Sequence, residues 1–186
     1  RDLEIDHFSY DRCFYKTRII VRRFSGICDC IPVKIPDNLI TSHRLKGKWV
    51  EIAGQFRSYN RDDNEGKSHL ELVLFAKDIR VFNDKCESIE QPYSNYIFLN
   101  GYICRKPSLR CTYEGHSISD LLIAVNRAHL KSDYIPCIAW RDDAELVYKL
   151  DVGSKISFLG RIQSRVYQKD LSETITAYEV SVSEIL

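Results

Sequence analysis

Two aromatic rings mark the ends of a short predicted strand in the second half of the chain. Trp140 lies six positions after Tyr134, an even step, so the two rings lie on the same side of an extended segment. The alternate positions, Ile135, Cys137 and Ala139, form a compact apolar side that is typical of a core. We therefore predict that both rings face solvent, where they can stack on planar groups.

A second predicted strand, around Gly160, is expected to lie beside the first and has cations on one side. We predict that this side faces solvent and that the other side, with Val166, points inward. Rings that stack on bases contribute roughly 1–3 kcal/mol each, and cations meet phosphates, so the chemistry is binding rather than bond-breaking. The predicted outward row is Arg161, Gln163, Arg165 and Tyr167.

Other residue groups could suggest catalysis or a metal, and we set them aside. Cys28 and Cys30 share a strand face, but a zinc site needs further ligands and no second close Cys or His pair accompanies them. The pairs Asp62-Asp63 and Asp142-Asp143 fall at predicted turns or helix starts, where Asp caps backbone amides. We predict no catalytic residue, no metal and no cofactor, and hence not an enzyme.

The composition limits the class of protein but does not identify a partner. The 186 residues have a formal net charge of +1, so a nucleic-acid partner must be argued from charge arrangement. No apolar run approaches the ~20 residues of a membrane span, so we expect no membrane association. Seven scattered cysteines favour a reduced, cytoplasmic compartment over a disulfide framework. The chain begins at Arg1 and contains no methionine, so we expect the true N-terminus to be missing. Only Leu3 to Arg12 remains to supply the opening strand of the first half, so we expect that strand to be truncated.

Short strands dominate the rest of the chain, since apolar residues alternate between Gly, Asn, Asp and Pro boundaries. Helical patterns are limited to Asp37–Arg44 and Asp142–Leu150. The predicted strands are Phe14–Arg23, Cys28–Ile35, Lys48–Tyr59, His69–Phe82, Tyr96–Cys104, His116–Asn126, Tyr134–Trp140, Ser154–Tyr167 and Thr174–Ser183.

The two halves repeat one another, with a boundary expected near 91–94. "DCIPV" around Pro32 corresponds to "DYIPC" around Pro136, and "VEIAGQFRSYN" around Gly54 corresponds to "ISFLGRIQSRVY" around Gly160. Five strands with a helix between the third and fourth follow the order of an OB barrel. We predict an all-β chain of two tandem OB-fold (five-stranded Greek-key) barrels, each with a short helix between strands 3 and 4: residues 1–92, divergent, and residues 93–186.

Residues 95 to 182 resemble the bacterial single-stranded-DNA-binding protein family, known as SSB. The resemblance is carried by "NYIFLNGYICRKPSLRCTYEGHSISDLLIAVNR", "SDYIPCIAW", "AELVYKLDVGSKI", "GRIQSRVY" and "YEVSV". It implies sequence-tolerant binding of single-stranded DNA in replication, recombination and repair. It also implies a homodimer that supplies four OB barrels, a location at the bacterial nucleoid, and replication and repair partners recruited through an acidic tail that is absent here.

The same resemblance assigns roles to individual residues. Tyr134, Trp140 and Tyr167 fall where the family presents stacking aromatics. The loop cations Arg105, Lys106 and Arg110 would add phosphate contacts.

The first half matches only through the repeat. Cys30 and Pro36 stand where the second half has Tyr134 and Trp140, so two rings are lost. We expect weaker binding there, through Lys34, Arg57 and Tyr59, or a role in assembly. Two alternatives remain open: a replisome or primosome protein-interaction module with weak nucleic-acid binding, and an RNA-binding OB protein.

Overall fold

The computed structural model describes residues 3–9, 11–40, 45–62, 66, 68–82, 94–128, 130–170 and 173–186. The chain divides into two compact units, Arg1–Ser94 and Asn95–Leu186. Both units consist mainly of strands, which confirms the all-β prediction. No helix in the described ranges is long and apolar enough to cross a membrane.

The first unit is a five-stranded sheet in the order β1-β2-β3-β5-β4, in which only β3 and β5 run parallel. A three-residue 3-10 helix, Asp37–Leu39, follows β3 in place of the longer helix predicted for Asp37–Arg44, of which residues 41–44 lie outside the described ranges. The strands are β1 (Glu4–Ser9), β2 (Arg12–Arg22), β3 (Cys28–Pro36), β4 (Trp49–Asp62) and β5 (Ser68–Phe82).

The second unit repeats this order in β7-β8-β9-β11-β10, adds β6 beside β10, and is closed. β6 pairs with both β10 and β8, which closes the strands β6, β10, β11, β9 and β8 into a barrel with the pairing of an OB fold. The helix α1 (Arg141–Tyr148) lies between β9 and β10, as predicted, and packs on β8. The strands are β6 (Ile97–Ile103), β7 (Ser108–Cys111), β8 (Ser117–Asn126), β9 (Ser132–Trp140), β10 (Lys155–Asp170) and β11 (Glu173–Ile185).

The repeat is present in the strand pairing itself. A register shift falls between Ala53 and Gly54 in the first unit, and an equivalent shift falls between Leu159 and Gly160 in the second. Both glycines stand where a Cβ would lie 2.2 and 2.5 Å, respectively, from a carbonyl oxygen of the neighbouring strand. Each unit therefore needs glycine at this bend, because a side chain would push the two strands apart.

A buried ion pair also occurs at equivalent places in the two units. The guanidinium of Arg23 donates to both oxygens of Asp29, at 2.7 and 2.6 Å, and the Asp29 side chain is completely buried. In the second unit, Arg127 lies 3.0 Å from Asp133. Each pair fastens the turn that joins two consecutive strands, β2 to β3 in the first unit and β8 to β9 in the second.

The first barrel differs from the second at its opening strand. We expected Leu3 to Arg12 to supply the first strand of the fold. Instead, β1 pairs with the beginning of β2, just as β7 pairs with the beginning of β8. β1 is therefore the counterpart of β7, a strand that the sequence pattern did not predict, and not of β6.

Candidate nucleic-acid interface

The second unit presents the three predicted rings on the outer face of its barrel, meaning the side of its strands turned away from the core. Tyr134 is 46% exposed, Trp140 38% and Tyr167 44%. Trp140 is held in place by its indole Nε1, which donates to Ser181 Oγ at 3.2 Å. The apolar side of the same strand, including Ile135 and Ala139, is fully buried.

The strands that carry the rings and cations are not adjacent. β11 lies between β9 and β10, so the two rows of side chains are separated by two strand spacings, about 10 Å. The prediction assumed direct neighbours, and it missed the residues that β11 inserts between the rows. These are Ser181, which holds the indole, and Glu179, which is 8% exposed.

Glu179 changes the predicted cationic row. Gln163 was expected to face solvent, but it is 6% exposed, and its Nε2 donates to the Glu179 carboxylate at 2.7 Å. Arg165 remains exposed, with one guanidinium nitrogen 3.8 Å from the same carboxylate. Arg161 is half-buried. Arg165 is thus the exposed cation of the predicted row, and Gln163 acts as a support for Glu179.

The end of β10 also departs from the sequence expectation. Val166 was predicted to point inward, but it is 66% exposed. Here β10 and β11 continue to pair with each other, Tyr167 facing Ile175. In the described pairings β10 meets β6 only from Lys155 to Gly160, so Val166 lies beyond the closed part of the barrel and has no core to enter.

Two of the three predicted loop cations of the second unit have acidic partners, and one of these two, Arg110, lies on strand β7 and not in a loop. Lys106 Nζ lies 2.7 Å from Asp151, and this contact lowers the pKa of the Asp151 carboxyl. Arg110 makes two hydrogen bonds to Asp120, at 2.8 and 3.2 Å, which raise the pKa of Arg110. The third predicted loop cation, Arg105, is exposed.

The cations predicted for the first unit are likewise engaged. Lys34 lies 2.9 Å from the Asp6 carboxylate and 4.2 Å from the ring centroid of Tyr59. Burial opposes the charge on Lys34, but hydrogen bonds to Tyr59 and Asp6 leave its pKa above the ordinary value. Arg57 donates a hydrogen bond to Gln55 and lies over the ring of Phe75. Phe75 was not among the site residues predicted from the sequence.

Side chains that could hold a metal are not gathered anywhere in the described ranges. No group of three or more His, Cys, Asp or Glu residues there has the proximity that a metal ion requires. The described cysteines form no disulfide, and Cys28 is exposed while Cys30 is partly buried.

A family model described as the single-strand binding protein family matches residues 94–186. The chain belongs to this family. The matched region is the closed second barrel, which carries the three exposed rings.

Curated relatives agree with this placement. A single-stranded DNA-binding protein of Oceanobacillus iheyensis is 33% identical over 98 residues, covering 49% of this chain and 61% of the relative. The single-stranded DNA-binding protein B of Bacillus subtilis is 31% identical over 93 residues, covering 46% of this chain and 82% of the relative. The chain thus spans less than two thirds of the first of these SSB proteins.

Solved structures extend the similarity to the first unit. The wild-type single-stranded DNA-binding protein of Thermus aquaticus superimposes with a TM-score of 0.74 at 20% identity, covering 100% of this chain and 86% of that one. At this identity the likeness concerns the fold, and it confirms the tandem OB architecture.

Proposed function

We propose that this SSB-family chain binds single-stranded DNA without sequence preference, and that it protects the strand during replication, recombination and repair. The observation that carries the proposal is the exposed ring row, Tyr134, Trp140 and Tyr167, on the outer face of the second barrel. Bases of any kind can stack on such rings, because every base has a π-face. The same surface serves binding rather than catalysis, so we propose that the protein is not an enzyme.

Phosphate contacts in this proposal come first from Arg165 and Arg105, which are exposed, and only secondarily from the half-buried Arg161. Arg165 is the strongest candidate, because its side chain is exposed and it lies two residues before Tyr167 on the same strand. Lys106 and Arg110 lie 2.7 and 2.8 Å from a carboxylate oxygen, whereas Arg165 lies 3.8 Å from Glu179, so we assign Lys106 and Arg110 a smaller share.

Fluorescence titration with oligo-dT tests the function. Trp140 emission should be quenched on binding, and the affinity should fall as salt rises, because binding releases counterions. Arg165→Gln should reduce the slope of log K against log[salt] by about 0.7 if that residue makes one phosphate contact. Lys149→Gln, an exposed cation that follows α1, is the matched control and should leave the slope unchanged.

If oligo-dT at low salt causes neither quenching nor a mobility shift, DNA binding is refuted and the protein-interaction module is favoured. Equal affinity for DNA and RNA oligomers of one sequence would refute a preference for DNA.

We also propose a homodimer, since two barrels per chain require two chains to supply four, and a place in the cytoplasm at the bacterial nucleoid. Replication and repair proteins are its proposed partners. Mass in solution measured by light scattering tests the homodimer: twice the chain mass supports it, and a single chain mass contradicts it.

A further inference from the structure

The outer face of the first unit carries an aromatic cluster at positions where the second unit has no rings. Phe75 on β5 is the register partner of Lys34 on the parallel strand β3, just as Ser181 on β11 is the register partner of Ile138 on β9. Phe75 therefore occupies the position of Ser181. The ring of Phe14 on β2 lies 5.7 Å from the Phe75 ring centroid, tilted by 46°.

The cluster continues onto β1 through His7. The His7 and Phe14 rings are stacked, with centroids 4.8 Å apart and planes 10° from parallel. The first unit has thus lost the rings of the third strand but has gained rings on the strands to either side of it.

Cations surround this cluster. The guanidinium carbon of Arg57 lies 4.5 Å from the Phe75 ring centroid, and Lys77 Nζ lies 5.5 Å from it. Arg57 takes the place of Gln163, and Val73 takes the place of Glu179, as the register of β4 and β5 shows. The buried carboxylate of the second unit therefore has an apolar counterpart here, and the surface is more favourable for an anion.

The carboxylates of this region have other partners. Asp6 is paired with Lys34, and Glu71 lies 3.1 Å from Arg61. Asp37 accepts a hydrogen bond from the backbone amide of Cys13 at 3.1 Å.

A hollow of about 320 Å³ lies beside the rings. Its walls include Phe14, Phe75 and Pro36, and its polar lining comes from Arg12, Arg57 and Lys77. The volume is at the lower end of the range for small-molecule sites, which suits one flat ring system rather than an extended ligand. Apolar rings beside three cations match the chemistry of a base joined to a phosphate.

We infer that this hollow is a nucleotide-binding subsite of the first unit, in which one base of a single-stranded nucleic acid contacts Phe14 and Phe75 while a neighbouring phosphate meets Arg12, Arg57 or Lys77. The inference rests on the proposed function, because it takes the same class of ligand. It assigns a second point of contact, in a barrel that sequence reasoning ranked as the weaker binder.

The test must distinguish binding by the first unit from binding by the second. In a background variant, Tyr134, Trp140 and Tyr167 are all replaced by Ala, so that binding through the ring row of the second unit is removed. In that background, Phe75→Leu keeps an apolar side chain of similar bulk but removes the ring, and Phe75→Tyr keeps the ring. The binding of a dye-labelled dT oligomer is followed by anisotropy, and thermal unfolding checks that each variant is folded.

We expect Phe75→Leu to weaken the residual binding about 5- to 150-fold, which corresponds to the loss of one stacked base. Phe75→Tyr should bind as the background does. The matched control is Phe8→Leu, because Phe8 is an exposed ring on β1 that does not line the hollow. Photocrosslinking with 5-iodouracil oligomers should attach the strand to the peptide that contains Phe75.

The outcomes distinguish this inference from the proposed function. If the background variant retains binding and Phe75→Leu leaves it unchanged, the subsite is refuted. If the background variant no longer binds at all, the subsite is also refuted, but the ring row of the second unit is supported. If the background variant binds as tightly as the wild type and Phe75→Leu weakens that binding, the subsite is supported and the proposed role of the ring row of the second unit is refuted.

Discussion

Replacement of Trp140 by Ala tests how the outer face of the second barrel binds. The indole is 38% exposed, so it combines a packed part with a part available to a ligand. Its Nε1 hydrogen bond to Ser181 fixes the ring orientation. The substitution removes a stacking surface that is already ordered before the ligand arrives.

The loss should be visible in both binding and stability. A stacked base contributes roughly 1–3 kcal/mol, so the dissociation constant of Trp140→Ala should rise about 5- to 150-fold. Truncation of a fully buried Trp costs about 3–5 kcal/mol, and since part of this ring is exposed we expect about 2 kcal/mol of lost folding stability. The salt dependence should not change, because the ring carries no charge.

Anisotropy of labelled oligo-dT measures the binding without relying on tryptophan emission. Trp140→Phe is the companion variant, because it retains a stacking ring and loses only the hydrogen bond to Ser181. It should bind more tightly than Trp140→Ala. A folded Trp140→Ala protein that binds oligo-dT within twofold of the wild type would refute the stacking role of this residue.

Three further predictions concern the scaffold. Gly160→Ala should cost about 1–3 kcal/mol in urea denaturation, because the new Cβ would lie 2.5 Å from a carbonyl oxygen on β11. A smaller loss would mean that the strands separate easily at this bend. Asp29→Asn and Asp133→Asn should each cost at least about 2 kcal/mol, since each leaves a partly buried arginine without its charge partner. The first should lower the unfolding midpoint of the first unit and the second that of the second unit, and equal effects of each on both midpoints would contradict this assignment. Burial raises the pKa of the Cys137 thiol well above its ordinary value, so iodoacetamide at pH 8 should label Cys28 and leave Cys137 unmodified until the protein unfolds. Equal labelling of both in native protein would show that the core is open.

The predictable part of the fold is the part that local pattern determines. β9 was predicted from Tyr134 and is observed from Ser132, and β8 was predicted from His116 and is observed from Ser117. The strand β7 was missed because it is short and exposed throughout, so apolar residues do not alternate clearly along it, and β1 was expected as a strand but was assigned to the wrong place in the fold. Their existence depends on pairing with β2 and β8, which is a property of the tertiary fold.

Site residues on β9 were easier to predict than those on β10. Alternation holds at the ends of β9, where Tyr134 and Trp140 face outward and Ile135 and Ala139 are buried, although Ile138 on the ring side is also buried. On β10 the same rule failed at Gln163, because Glu179 on the neighbouring strand covers it, and at Val166, because the strand has by then left the closed barrel. Neither cause can be found in the residues of β10 alone.

The ring cluster of the first unit was missed for a related reason. The counterparts of Tyr134 and Trp140 in the first unit are Cys30 and Pro36, which carry no stacking ring. The rings of the first unit instead lie on other strands, as Phe75 and Phe14 show, and these have no ring counterpart in the second unit to point to them. Strand order is what brings those two residues together, since β2 and β5 flank β3.

The paired ends of β10 and β11 have a consequence for dynamics. Beyond the closed barrel, a two-stranded ribbon with exposed side chains such as Val166 and Tyr167 is supported mainly by its own ladder of hydrogen bonds. Segments with little buried apolar surface open locally at a lower free energy than the core. Part of the energy of stacking on Tyr167 must therefore offset the entropy lost when the ribbon is ordered, whereas Trp140 is held in advance by the barrel. The two rings can contribute unequally to affinity although their exposure is nearly the same.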